Sequence, residues 1–139
     1  MWYFQGKWYL AGVNQNCADA CNSHDLECLE DEFYKHNFEI DSSGELIRVI
    51  KKLDVNLWSF LKEVDECDDG YPNGKDVPNL STKKEFCYFG SSTRSKSTFD
   101  CNVRPAPRNL KKQRICWCQK AGYLYLFVHN IILVILFYC

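Results

Sequence analysis

No excess of charge of either sign marks this chain: 17 Lys and Arg stand against 18 Asp and Glu in 139 residues. That balance removes the electrostatic grounds for nucleic acid, an anionic substrate or a charged membrane surface as partner. Glycine is sparse, seven residues scattered without a phosphate-cradling loop, and no nucleophile beside a base or paired carboxylates shows a recognisable spacing. No catalytic residue, cofactor or cofactor-binding residue is therefore expected. The chain has no internal repeat. Its start, MWYFQGKWYLAG, has no apolar run behind a basic head and is not a signal peptide, which leaves room for a segment upstream.

Cysteine, in contrast, is abundant, with nine residues of which Cys139 stands apart in a hydrophobic tail. The other eight are Cys17, Cys21, Cys28, Cys67, Cys87, Cys101, Cys116 and Cys118. An even number in a short chain reads as a disulfide framework made in the secretory pathway or outside the cell. A zinc site using cysteine with His24 or His36 competes with this, but the spacings are C-x3-C, C-x6-C and C-x-C, without the C-x2-C pair that structural zinc sites favour. No metal is expected. The tail from Ala121 to Tyr138 carries no formal charge and sits at the lower limit of the about 20 residues a helix needs to span a bilayer. His129 and Asn130 interrupt it, and Lys111, Lys112, Arg114 and Lys120 before it would leave the cysteines on the cytosolic side, against the disulfide reading. The cysteines outweigh that bias. The expected organisation is a cysteine-rich luminal or extracellular domain over 1–120 and a hydrophobic tail over 121–139, a marginal candidate for a membrane anchor.

Along the chain, KWYLAGV (Lys7 to Val13) reads as a strand and Asn16 as the cap of a helix running from Cys17 to about Leu26, with Asp19 in its first turn. LEDEFYKHNFEI (Leu29 to Ile40) reads as helical, with Phe33 and Phe38 turned inward; Glu27, Glu30, Asp31 and Glu32 read as a solvated first turn rather than a general base. Ser42 and Glu45 stand at capping-box spacing before Leu46, Val49, Ile50 and Leu53. Asp54 then caps a helix whose stripe Leu57, Trp58, Leu61 and Val64 faces a core rather than a ligand. CDDGYPNGKDVPNLSTKK (Cys67 to Lys84) reads as a surface loop carrying Asn79-Leu80-Ser81, an N-glycosylation acceptor triplet. EFCYF and RICWC read as strands. The fold class expected is α+β: a small disulfide-stapled domain of three or four short helices with a small antiparallel sheet.

The pair Cys116 and Cys118 lies on one face of its strand, about 6.6 Å apart, with Trp117 on the other. Cys17 and Cys21 lie one helical turn apart, a rise of about 6 Å. The two pitches match, so a helix laid on a strand closes two parallel bridges. Cys28, Cys67, Cys87 and Cys101 then allow three connectivities, of which Cys28 with Cys67 and Cys87 with Cys101 have the shorter loops.

The segments NCADACNSHDLECLEDEFYKHN, EC, VPN, FCYF, FDC and RNLKKQRICWCQ resemble, in that order, the cysteine-rich C-terminal segment of glycosyltransferase family 18, the N-acetylglucosaminyltransferase V family. The likeness covers about Trp8 to Gln119 and all eight cysteines, with Trp117 where the family has proline. It implies kinship with Golgi type II membrane enzymes that move N-acetylglucosamine from UDP to a mannose of N-glycans without a metal. Their catalytic part lies upstream of this segment, so no functional residue carries over. Similar eight-cysteine modules also stand alone as ectodomains.

The leading expectation is a non-catalytic luminal or extracellular module that packs on, or binds, a protein or glycan. Trp2, Tyr3, Trp8, Tyr71 and Tyr88 are candidates to stack on sugar rings, although most aromatics of a small domain are core. The alternative is a C-terminal fragment of an alpha-1,6-mannosylglycoprotein 6-beta-N-acetylglucosaminyltransferase acting in N-glycan branching. A third class is a secreted defensin-like or toxin-like effector, which shares the staple but is usually much shorter.

Overall fold

The computed structural model describes residues 6–70, 74–121, 123–128 and 131–136. Strand β1 (Lys7–Val13) leads through a turn to α1 (Cys17–Asn22), whose N-terminus is capped by the Asn16 side chain accepting from the Asp19 amide at 2.7 Å. The helix stops four residues short of Leu26 because the chain turns back there: Asp25 takes a left-handed φ of 57° and the Leu26 amide returns to the Cys21 carbonyl. Helix α2 (Glu30–His36) begins with three acidic residues at its positive end and tightens into a 3-10 turn, Asn37–Glu39. The longest helix, α3 (Ser43–Leu53), carries the expected capping box, with Ser42 accepting from the Glu45 amide and donating to the Glu45 carboxylate. A 3-10 turn, Val55–Leu57, precedes α4 (Trp58–Glu63).

Strands β2 (Asp68–Asp69), β3 (Asn79–Ser81), β4 (Phe86–Phe89) and β5 (Gln113–Cys118) complete a five-stranded sheet in the order β1-β5-β3-β4-β2. The sheet is mixed rather than wholly antiparallel, because the two-residue β2 runs parallel to β4. β5 lies between β1 and β3 and is buried from Arg114 to Cys118. Around it lie two apolar clusters: Cys17, Ala20, Cys21, Phe33 and Phe99 gather near Cys116, while Ile40, Leu46, Ile50, Phe60 and Leu80 gather near Ile115.

Two helical expectations miss in the same way. Phe38 is 65% exposed and Trp58 62% exposed, while Leu57, Phe60 and Val64 face inward. Phe38 lies within a 3-10 turn and Trp58 directly follows one, where three residues per turn replace 3.6 and shift the phase of the apolar stripe.

The tail is not the helix expected over 121–138. Its residues form a separate antiparallel pair of β6 (Tyr123–Val128) and β7 (Ile131–Leu136), in keeping with the β-branched and aromatic residues at eight of the twelve positions. Among the described residues no helix is long and apolar enough to cross a membrane. His129, Asn130 and Cys139 lie outside the described residues.

Candidate functional site: an aromatic surface braced by a helix-to-strand staple

Helix α1 sets Cys17 and Cys21 one turn apart, and β5 sets Cys116 and Cys118 on one face. The structure joins them as Cys17–Cys116 and Cys21–Cys118, both with Cα atoms 5.4 Å apart. All four cysteines are fully buried. The matching pitch of helix and strand thus closes two side-by-side bridges across sequence separations of 99 and 97 residues.

The other four pair as Cys28–Cys101 and Cys67–Cys87, not as Cys28–Cys67 and Cys87–Cys101. Loop-closure entropy separates the two connectivities by only about 1 kcal/mol. Strand pairing decides instead. Cys67 immediately precedes β2, which pairs with β4, where Cys87 lies. Cys28 follows Glu27, whose amide donates to the Gln119 carbonyl at 2.8 Å, and so lies at the staple end of the molecule. Cys101 is held there too: its carbonyl accepts from the Ala18 amide at 2.9 Å and its amide donates to Glu30 at 3.2 Å.

Trp117, between the two staple cysteines, anchors the polar and aromatic groups. Trp8 lies directly across from it on β1, edge-on at 5.4 Å between ring centres. His36, the last residue of α2, stacks on Trp117 at 3.5 Å and 13° from parallel. Glu39 then ties these groups together, with one carboxylate oxygen 2.7 Å from His36 Nδ1 and the other accepting from Trp8 Nε1 at 2.8 Å. A carboxylate only accepts, so the proton of a neutral imidazole sits on Nδ1. Trp117 Nε1 donates to Gln119 Oε1 at 3.1 Å. Gly6 is needed beside it, since a Cβ there would lie 2.5 Å from the Trp117 ring. Phe38 projects past His36, its ring 6.5 Å away and 24° from parallel. Of the aromatics singled out in the sequence, Trp8 is thus half-buried at the centre of this network and Tyr88 is half-buried on β4, while Trp2, Tyr3 and Tyr71 lie outside the described residues.

Sequence patterning missed the charged groups beneath this surface. Arg114 is fully buried, its Nη1 donating to the carbonyls of Asp100 at 2.7 Å and Val103 at 2.9 Å. Arg94, also buried, donates to Val77 and Thr98 and lies 3.9 Å over the Phe99 ring. Burial, reinforced by repulsion from Arg114, pushes Arg94 down to about 9; burial likewise pushes Arg114 down to about 10, against the opposing charges of Asp76 and Asp100. Lys112 closes the group by donating to Asp76 at 2.9 Å and to the Ala106 carbonyl at 2.7 Å. Three cations pinned to loop carbonyls hold the irregular segments around residues 76–106 against the sheet. Only the Arg-x-Cys spacing hinted at this, since Arg114 shares the face of Cys116 and Cys118 on β5.

Asn79 is placed in β3 and fully buried, not in a surface loop. Its Nδ2, the atom that would carry a glycan, donates to the Asp76 carbonyl at 3.0 Å. The acidic run is dispersed: Glu30 binds the Cys101 amide, Asp31 pairs with Lys96 at 2.7 Å and Glu32 with Lys35 at 2.6 Å. Lys96 holds the Asp31 carboxyl below the usual carboxylate range. His24 lies against Tyr9, ring centres 4.5 Å apart and 34° from parallel, and among the described residues no group of three or more His, Cys, Asp or Glu could hold a metal.

No protein-family model and no curated protein matches the chain. The fold and its bridges define the class: a small α+β domain with, among the described residues, four helices, a five-stranded mixed sheet and four disulfides. Such a disulfide density suits an oxidising secretory or extracellular environment.

Proposed function

We propose that the chain is a non-catalytic module of the secretory-pathway lumen or cell exterior that works by packing on, or binding, another protein or a glycan. One observation carries this reading: disulfides fix a strand whose tryptophan, between the two bridged cysteines, holds a rigid aromatic and polar surface in place. Seven of the eight bridged cysteines are at most 4% exposed, so the bridges brace the domain rather than serve exchange chemistry. Alkylating cells before lysis tests it. The eight bridged cysteines should resist the reagent until a reductant is added, whereas alkylation of any of those eight in the native protein would end the reading.

The order of the eight cysteines favours a second reading, in which the chain is the C-terminal segment of a Golgi glycosyltransferase family 18 enzyme, an alpha-1,6-mannosylglycoprotein 6-beta-N-acetylglucosaminyltransferase. Sequencing the native message tests this. An open reading frame running upstream into a nucleotide-sugar domain supports it, and a stop codon just upstream of Met1 removes it. Attachment to a membrane through residues 121–138 is tested by carbonate extraction, where release with luminal proteins counts against an anchor.

A further inference from the structure

We infer that Phe38 with the His36–Glu39 pair forms a subsite for one face of a neutral pyranose sugar, an inference that rests on the binding-module reading above. Phe38 is the most exposed large apolar side chain among the described residues, on the 3-10 turn that follows α2. The imidazole beside it is fixed on two sides, from behind by the Trp117 ring at 3.5 Å and at its edge by Glu39 at 2.7 Å. With the Nδ1 proton turned toward Glu39, Nε2 of neutral His36 is an acceptor, and it has no partner among the described residues. His36 and Glu39 side chains are 28% and 33% exposed, so solvent and ligand reach them. The surface therefore offers an open aromatic face next to a fixed hydrogen-bond acceptor.

A pyranose matches both features, because its axial C–H bonds make one flat apolar face while its rim carries hydroxyl donors. Other ligands match less well. A phosphate or carboxylate would meet the Glu39 charge and an acceptor nitrogen. A cation would find both Glu39 oxygens already engaged, one by His36 and one by Trp8 Nε1. A wholly apolar peptide side chain would strip water from Nε2 without replacing the hydrogen bond. One ring contact with one or two hydrogen bonds corresponds to monosaccharide binding in about the millimolar range.

The test is a titration of the intact, oxidised protein, followed by 15N–1H spectra, with methyl α-mannopyranoside, methyl β-glucopyranoside and N-acetylglucosamine as probes. At least one should shift the amides of residues 36–39 and the indole N–H of Trp8 saturably. Phe38→Ala should weaken that binding at least tenfold without lowering the melting temperature, since the ring is exposed, and Trp58→Ala should leave it unchanged. No saturable shift with any of the three sugars, or binding that survives Phe38→Ala, overturns the subsite. Either result with all eight cysteines still bridged leaves the module reading intact, whereas free thiols among those eight in the same sample would remove that reading itself.

Discussion

Arg114 is the residue whose role is furthest from what its chemistry suggests. Guanidinium groups are seldom fully buried, and here one is enclosed in β5, with Nη1 bridging two carbonyls of the segment after Phe99. Truncation would orphan both carbonyls and leave a cavity. Arg114→Ala should therefore lower the unfolding free energy by about 3 kcal/mol or more, read as a shifted urea midpoint. A loss within about 0.5 kcal/mol would place the side chain on the surface. Hydrophobic patterning treats every arginine as solvent-facing, so this group was not legible in the sequence. Phe33 was legible, because a helical phase carries it inward. Phe38, five residues on, was not, because α2 gives way to a 3-10 turn at Asn37 and the phase is lost.

At the scale of elements, the staple was readable because it depends only on the rise of a helix and the pleat of a strand. The chain-entropy model gives a bridge over about 100 residues a contribution of about 4 to 5 kcal/mol, before strain. Cys17→Ser with Cys116→Ser should cost clearly less than that amount, because Cys21–Cys118 still closes nearly the same long loop; adding Cys21→Ser and Cys118→Ser, which opens it, should bring the larger part of the loss. Asn16→Ala, which removes only the cap of α1, should cost about 0.5 to 2 kcal/mol. Short strands were the illegible part. β2 and β3 span two and three residues inside a stretch rich in Gly, Pro, Asn and Asp, and no periodicity shows in so few positions. That gap also put Asn79 in a loop. With Nδ2 bonded and buried in β3, the folded protein has no room for a glycan there: treating the denatured protein with an amidase that removes N-glycans should leave its mass unchanged, and a mass loss assigned to Asn79 would contradict that placement.

For the whole molecule, cysteine content conveyed a small domain held by disulfides from an oxidising compartment, and local patterning added the α+β class, since eight paired cysteines constrain class more than they constrain path. It did not convey how the four bridges divide the work. Three of them, Cys17–Cys116, Cys21–Cys118 and Cys28–Cys101, gather α1, the end of β5 and the segment before Asn102 around one apolar cluster, while Cys67–Cys87 alone serves the other. The preference for short loops failed because it weighed entropy and ignored the parallel pairing of β2 with β4. The pairing of β6 with β7 was likewise hidden, because a long apolar run fits a strand pair as readily as a helix and only local propensity separates them. The most direct test of the account is peptide mapping of the unreduced protein by mass spectrometry. It should find the peptides of Cys17 and Cys21 linked to the one carrying Cys116 and Cys118, Cys28 linked to Cys101, and Cys67 to Cys87; linkage of Cys17 or Cys21 to any other peptide would contradict it.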